Sequence, residues 1–314
     1  MKMMKKLGII IAMATLMIAA TATPSFAATA NSYQQQILQA RYDTVSARVG
    51  FTTGVMTDIV SLVPRASDLN AHVDRLNADL STLSGYVSAG DSNGFTSFVS
   101  GTINADMKSA QDAMKADRTR YRAWGVTQQA RLELKNKYDQ RKATFDSRMS
   151  SVTIQLGNIR LASYDDAVAK FDGRMGKLSA RGVDVSGMQS VEAGAQSAVI
   201  SPLRAAVASC IAATVRVELK DRSLGNGAPY SYHFWAKMDA EGTKAITAKI
   251  ADNATRAGYG DQIAEVNAKL AAAQSTLDRV GTSPYTAGQQ DSIFNNLKAA
   301  AVQLKDIIKA LGGH

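Results

Sequence analysis

The sequence is poor in residues that staple or interrupt a chain. Cys210 is its only cysteine, so no disulfide can form within the chain and stability has to come from packing. Cys210 sits among Ala206, Val207, Ala208, Ile211 and Ala212, a setting that predicts a small buried residue. An intermolecular disulfide or a reactive thiol is the alternative. Five prolines in 314 residues leave long stretches free to run as helix. Histidine is equally scarce. His72, His233 and His314 lie far apart, and H-E-x-x-H, C-x-x-C, C-x-x-C-H and the EF-hand loop are all missing. Zinc, redox and haem readings lose their usual support, so no metal ligand and no cofactor is expected. No Gly-x-Ser-x-Gly elbow and no Gly-rich phosphate loop after a strand occurs, so no catalytic residue is assigned and an enzyme is not expected. Asp165 and Asp166 are adjacent, and neighbours on a helix point about 100° apart, which suits a solvated face better than an acid–base pair.

What is present begins at the N-terminus. Lys2, Lys5 and Lys6 precede an apolar run from Leu7 to Ala20, then Pro24 and Ser25-Phe26-Ala27. This is the pattern of a secretory signal peptide cut after Ala27, and the expected location is outside the cytoplasm, in the periplasm or at the cell surface. The run is short for a membrane span, and no later stretch is long and apolar enough to be one. The chain carries +9, and removing the three signal lysines leaves +6. Residues 115–142 hold nine basic residues against Asp117, Glu133 and Asp139, so that segment alone nets +6. The basicity is local.

Alanine and straight-chain residues dominate, and apolar residues recur at three- and four-residue steps, which predicts an all-α protein. Residues 33–63 form a first helix that Pro64 ends. A second starts at Ser67 or Asp68, with Leu69, Val73, Leu76, Leu80, Leu83 and Val87 as a heptad seam. A third register runs from Met107 through Met114, Tyr121 and Trp124 to Phe145, Leu156 and Ile159. In it Gly125 is either a tolerated mid-helix glycine or the tip of a hairpin. Helix continues from Leu161 to Leu178, closes at Gly182 and reopens with Asp184 or Ser186 as N-cap. Pro202 starts or kinks a segment through Val217, residues 221–241 form an aromatic loop, and three further helices fill 241–311. The expected organisation is a signal peptide (1–27), a long hairpin or coiled-coil region (28–160) and a second hairpin region (161–314). The architecture is elongated antiparallel hairpins.

A gapless internal repeat supports this. Leu69, Leu76 and Leu83 fall on Ile263, Leu270 and Leu277, and the same offset brings Ile103, Ala110 and Met114 onto Leu297, Leu304 and Ile308. A third copy aligns Val185 and Val199 with Ile263 and Leu277. The junction Arg181-Gly182-Val183-Asp184-Val185-Ser186 resembles one in exported, Ala-rich helical-hairpin proteins of uncultured small-genome bacteria. The resemblance covers about residues 164–220. It implies helical hairpins outside the cytoplasm and assigns no activity.

Two features carry functional content. In the basic band, Arg118 and Arg122 share a helical face beside Tyr121 and Trp124, while Arg131, Lys135 and Lys142 occupy the core register itself. A positive stripe with aromatics suits a polyanion or an anionic membrane surface. The alternative is a solvated helix that meets nearby acids. The second feature is Tyr230, Tyr232, His233, Phe234 and Trp235, a concentration of rings that suits a ligand or partner surface or a plug at a bundle end. Asn253-Ala254-Thr255 matches a glycosylation sequon. The expected role is structural or interaction-mediating in the cell envelope, with a protein partner or self-association through helical faces. A ligand-binding or chaperone-like module using the 230–235 rings is the alternative.

Overall fold

The structure is a computed structural model. It describes residues 24–222, 229–281 and 285–312, with side chains from residue 32 onward except 220–232 and 287. The N-terminal lysines and the whole apolar run from Leu7 to Ala20 lie outside the described residues. The described chain is all-α, with no strand among the described residues. It divides into two compact units: residues 31–159 with 211–213 in one, and residues 160–210 with 214–314 in the other.

The unit of residues 31–159 is built on α1 (Pro24–Leu62), α2 (Leu69–Ser88), α3 (Ser92–Phe98), α4 (Asn104–Arg120) and the first part of α5 (Gln128–Ser179). Pro64 ends α1 as expected, in a short 3-10 turn. Asp68 precedes α2 but its side chain makes no cap hydrogen bond, because its own backbone is already helical. Leu69, Leu76 and Leu83, seven residues apart, are almost completely buried, while Val73 and Leu80 are half-buried. Their partners are Leu38, Val49, Met56 and Ile59 of α1 and Ile103, Met107 and Ala110 around the start of α4. Gly90, at φ 68°, turns the chain, and Asp91 caps α3 by accepting from the Gly94 amide at 2.8 Å. A π-helical turn over Val99–Ile103 joins α3 to α4.

The continuous register from Met107 to Ile159 is interrupted. α4 ends at Arg120 and α5 starts at Gln128, and Gly125 stands between them at φ 70°, in a backbone region that a side chain penalises. Gly125 is therefore a turn. The interruption also shifts the buried face of α5, so Lys135 and Lys142 are exposed, whereas Arg131, Leu134, Arg141 and Phe145 are half-buried. The expectation that Lys135 and Lys142 sit in the core register is thus corrected.

The other unit packs the end of α5 with α6 (Ser186–Ala195), α7 (Ser201–Ala208), α8 (Ala212–Arg222), α9 (Pro229–Arg256), α10 (Gly260–Val280) and α11 (Ala287–Ala310). Gly182 closes α5 at φ 75°, and Asp184 accepts from the Ser186 amide at 2.9 Å. Met188, Ile246, Ile250, Val266 and Ile307 form the centre of its core. Thr286 and Gln289 close a reciprocal capping box at the start of α11. The aromatic loop expected over 221–241 is corrected. Residues 223–228 lie outside the described residues, but Pro229 opens a helix that contains all of 230–235. Proline at a helix start forfeits no hydrogen bond and presets φ, so α9 begins twelve residues earlier than Glu241.

Cys210 is also corrected. It is exposed, at φ 54°, beyond the end of α7, where its amide donates to the Val207 carbonyl at 3.0 Å. The Ala-rich run around it is two helices with a break at the cysteine, not one buried segment.

Candidate anion-binding cleft

The cleft lies within the unit of residues 31–159, and its walls are set by a clamp between α1 and α5. Phe51, Gly54, Val55, Asp58 and Ile59 share one face of α1 at three- and four-residue steps. Asp58 is buried, and Arg141 of α5 meets it with two hydrogen bonds, Nε donating to Oδ2 and Nη2 to Oδ1 at 3.0 Å. Lys137 adds its ammonium at 3.8 Å. A Cβ on Gly54 would fall on the Arg141 guanidinium, so glycine at this position gives the arginine its path across α1. Phe51 completes the contact, with ring centroids 5.5 Å from Tyr138 and 5.3 Å from Phe145.

This arrangement leaves a cleft of about 840 Å³ between α1, the end of α4 and the start of α5. Its apolar lining is Val55, Ile59 and Leu134, with the rings of Tyr121 and Tyr138. Its cations are Arg118, Arg122, Arg131 and Lys135. Two carboxylates also reach it, and both are engaged: Asp58 by Arg141 and Asp139 by Lys135 at 2.7 Å. Arg118, Arg122 and Arg131 form no ion pair with any of the described residues. The Nε of Arg131 is buried and has no hydrogen-bond acceptor. A buried donor without a partner carries a desolvation cost.

The electrostatics follow the same division. The Arg141 hydrogen bond holds the Asp58 carboxyl below the usual carboxylate range, against the opposing pull of burial. Burial, reinforced by the Asp117 charge, raises the Tyr121 phenol, which therefore stays a neutral donor at the cleft. Asp117 is itself raised by burial, with Arg120 at 3.6 Å pulling the other way.

Four of the five basic residues singled out in the sequence thus line one cleft. Lys142 does not, and pairs instead with Asp146 at 2.6 Å, one turn further along α5. Asp58 and Arg141 of this clamp stand 83 residues apart, so local patterns do not join them. A Gly-x-x-x-Asp step on an apolar helix face was the available signal.

No family model, no curated protein and no solved structure matches the chain.

The second sequence feature is placed differently. His233 is buried, 2.7 Å from the Tyr285 hydroxyl, which in turn donates to the Gly281 carbonyl at 2.9 Å. With the hydroxyl hydrogen so engaged, Nδ1 of His233 is left as the donor to Tyr285. Burial lowers the His233 pKa, and the Lys237 charge adds to this. Trp235 stacks on Phe171 with centroids 4.8 Å apart and ring planes 12° apart. Phe234 lies against the backbone at Gly194. His233 is thus buried, and Phe234 and Trp235 are half-buried against neighbours of their own unit. The side chains of Tyr230 and Tyr232 lie outside the described residues. Asn253 is held by Arg256 at 2.7 Å within α9. Among the described residues no cluster of three or more His, Cys, Asp or Glu side chains could hold a metal ion, and no helix is long and apolar enough to cross a membrane.

Proposed function

We propose that the chain is an extracytoplasmic binding protein, not a catalyst, that holds an extended polyanion along the cleft of residues 31–159. The observation that carries this is the group of three guanidiniums, Arg118, Arg122 and Arg131, facing one cleft with no carboxylate partner among the described residues. Guanidinium is weakly hydrated and offers a planar fork to carboxylate or phosphate. Tyr121 and Tyr138 add ring faces on which a sugar or base of the polymer can rest. The extracytoplasmic location rests on the basic start, apolar run and Ser25-Phe26-Ala27 of the N-terminus. N-terminal sequencing of the exported chain tests that part, with Ala28 as the expected first residue.

Titration of a labelled single-stranded oligonucleotide at low salt tests the binding. Saturable binding is expected, and the Arg118→Gln, Arg122→Gln, Arg131→Gln triple variant should lose it while keeping its helical circular dichroism. Binding that the triple variant retains would remove the cleft from the function.

A further inference from the structure

The cleft does not end at its arginines. A second cavity of about 540 Å³ shares Val55, Ile59, Arg118, Tyr121 and Tyr138 with it, and continues towards the start of α4. Its added lining is apolar at Phe51, Met107, Met114 and Phe145 and polar at Arg48, Thr52, Gln111 and Lys115. Met107 is buried and the other three apolar residues are half-buried, so this trough holds apolar surface that the fold itself leaves partly uncovered. From Met107 to Arg118 the trough follows α4 for about 16 Å, at 1.5 Å per residue. Methionines in such a floor adapt to an unbranched apolar chain. A bare phosphate or sugar polymer gains little from this surface. A ligand with an anionic head and one apolar tail uses both halves, the head against Arg122 and Arg131 and the tail over Val55, Ile59 and Met114.

We infer that the same groove takes a single-chain anionic amphiphile, with its carboxylate at the unpaired arginines and its tail in the trough along α4. This rests on the anion-binding reading of the arginines but not on the ligand being a polymer.

The test is calorimetric titration of the full chain with sodium alkanoates from octanoate to myristate, each below its micelle concentration, beside the matching neutral alkanols. Affinity should rise about three- to fourfold for each added methylene that reaches the trough. The alkanols should bind at least about tenfold more weakly, having no charge for the guanidiniums. Arg122→Gln with Arg131→Gln should lower myristate affinity about tenfold and leave the alkanols unchanged. Met114→Gln, at a half-buried position, should flatten the chain-length gradient while helical circular dichroism stays unchanged. Equal affinity across the series, equal affinity for alkanols, or a gradient unaltered by Met114→Gln would overturn the inference. Oligonucleotide binding without alkanoate binding would overturn it and leave the polyanion reading standing. Graded alkanoate binding without oligonucleotide binding would uphold it and overturn the polyanion reading.

Discussion

At the scale of single residues, Asp58 decides whether the cleft has a wall. Its carboxylate is the one anchor through which Arg141 and Lys137 hold α5 to α1. Asp58→Asn should lower the stability of that unit by about 1–3 kcal/mol at neutral pH. Arg141 is 39% exposed, so solvent screens the pair and favours the lower part of that range. The pH dependence has a definite sign. The folded-state pKa is below the unfolded value of about 3.9, so the contribution is complete above roughly pH 4 and is lost as pH falls through the lower folded value. The two tryptophans fall one in each unit, so a Trp235→Phe background leaves Trp124 to report this one. Urea unfolding followed at Trp124 should show the wild-type advantage shrinking from pH 5 to pH 3. An advantage constant over that range would mean the pair does not stabilise the fold.

His233 behaves in the opposite sense. It is buried neutral with a lowered pKa, so as pH falls through about 6.5 the unfolded state takes up the proton first. The stability of its unit should therefore drop between pH 7 and pH 5, relative to a His233→Gln variant that cannot titrate. Asp239 complicates the uncorrected profile. Burial pushes its carboxyl up to about 6, despite the nearby Arg174 charge, so its protonation favours the folded state as pH falls from 6 towards 4. Asp239 is nonetheless an exposed residue on the surface of α9, so solvent screens this effect and the comparison with His233→Gln is the informative one. The measurement is Trp235 fluorescence in a Trp124→Phe background, and a difference that does not change between pH 7 and pH 5 would contradict the buried neutral histidine.

At the scale of elements, the repeat in the sequence has a structural counterpart. Leu69, Leu76 and Leu83 of α2 are buried in one unit, and Ile263, Leu270 and Leu277 of α10 are buried in the other. Ala110 of α4 and Leu304 of α11, related by the same offset, are likewise buried. Leu76→Ala and Leu270→Ala should each cost about 2–5 kcal/mol, each read at its own unit's tryptophan. A cost below about 0.5 kcal/mol at either site would mean a helix without a packed seam. The repeat also isolates an oddity. Asp79 occupies the position that Ala273 fills in the second copy, and it is buried with its Oδ2 unpaired. Asp79→Ala should stabilise by about 1 kcal/mol at neutral pH, by removing a buried polar atom without a partner. Loss of stability in denaturant titration would show that the carboxylate has a role the packing does not reveal.

The elements also show how far sequence reading carried. Helix type, the seam of α2 and the closing glycine at 182 are legible, because hydrophobic period and positive-φ turns are local signals. The break at Gly125 is ambiguous in sequence, since a glycine inside a periodic run suits either a tolerated position or a turn. The exposure of Cys210 and the helical start at Pro229 are not legible for related reasons. An alanine-rich run has no hydrophobic face to mark where one helix stops, and a cluster of rings after Gly and Asn suggests a loop unless Pro229 is given weight as a helix start. In the cleft, the basic residues were legible as composition, but their convergence depends on the Asp58–Arg141 contact, which no local pattern encodes.

At the scale of the whole molecule, the charge is confined. The +6 of residues 115–142 lies in the unit of residues 31–159, and all four of its lysines and two of its arginines are already matched with carboxylates on α1, α4 and α5. What remains for a ligand is the set of three arginines at the cleft. This makes the binding claim quantitative. Each phosphate neutralised on a single strand contributes about −0.7 to the slope of log affinity against log salt, so three contacts predict a slope of roughly −2. The decisive measurement is that slope for a labelled oligonucleotide, in the wild type and in the Arg118→Gln, Arg122→Gln, Arg131→Gln variant. A slope near −2 that collapses towards zero in the variant, with helix content unchanged, is the expected result. No measurable binding at low salt, or the same slope in both proteins, would contradict a polyanion site in this cleft.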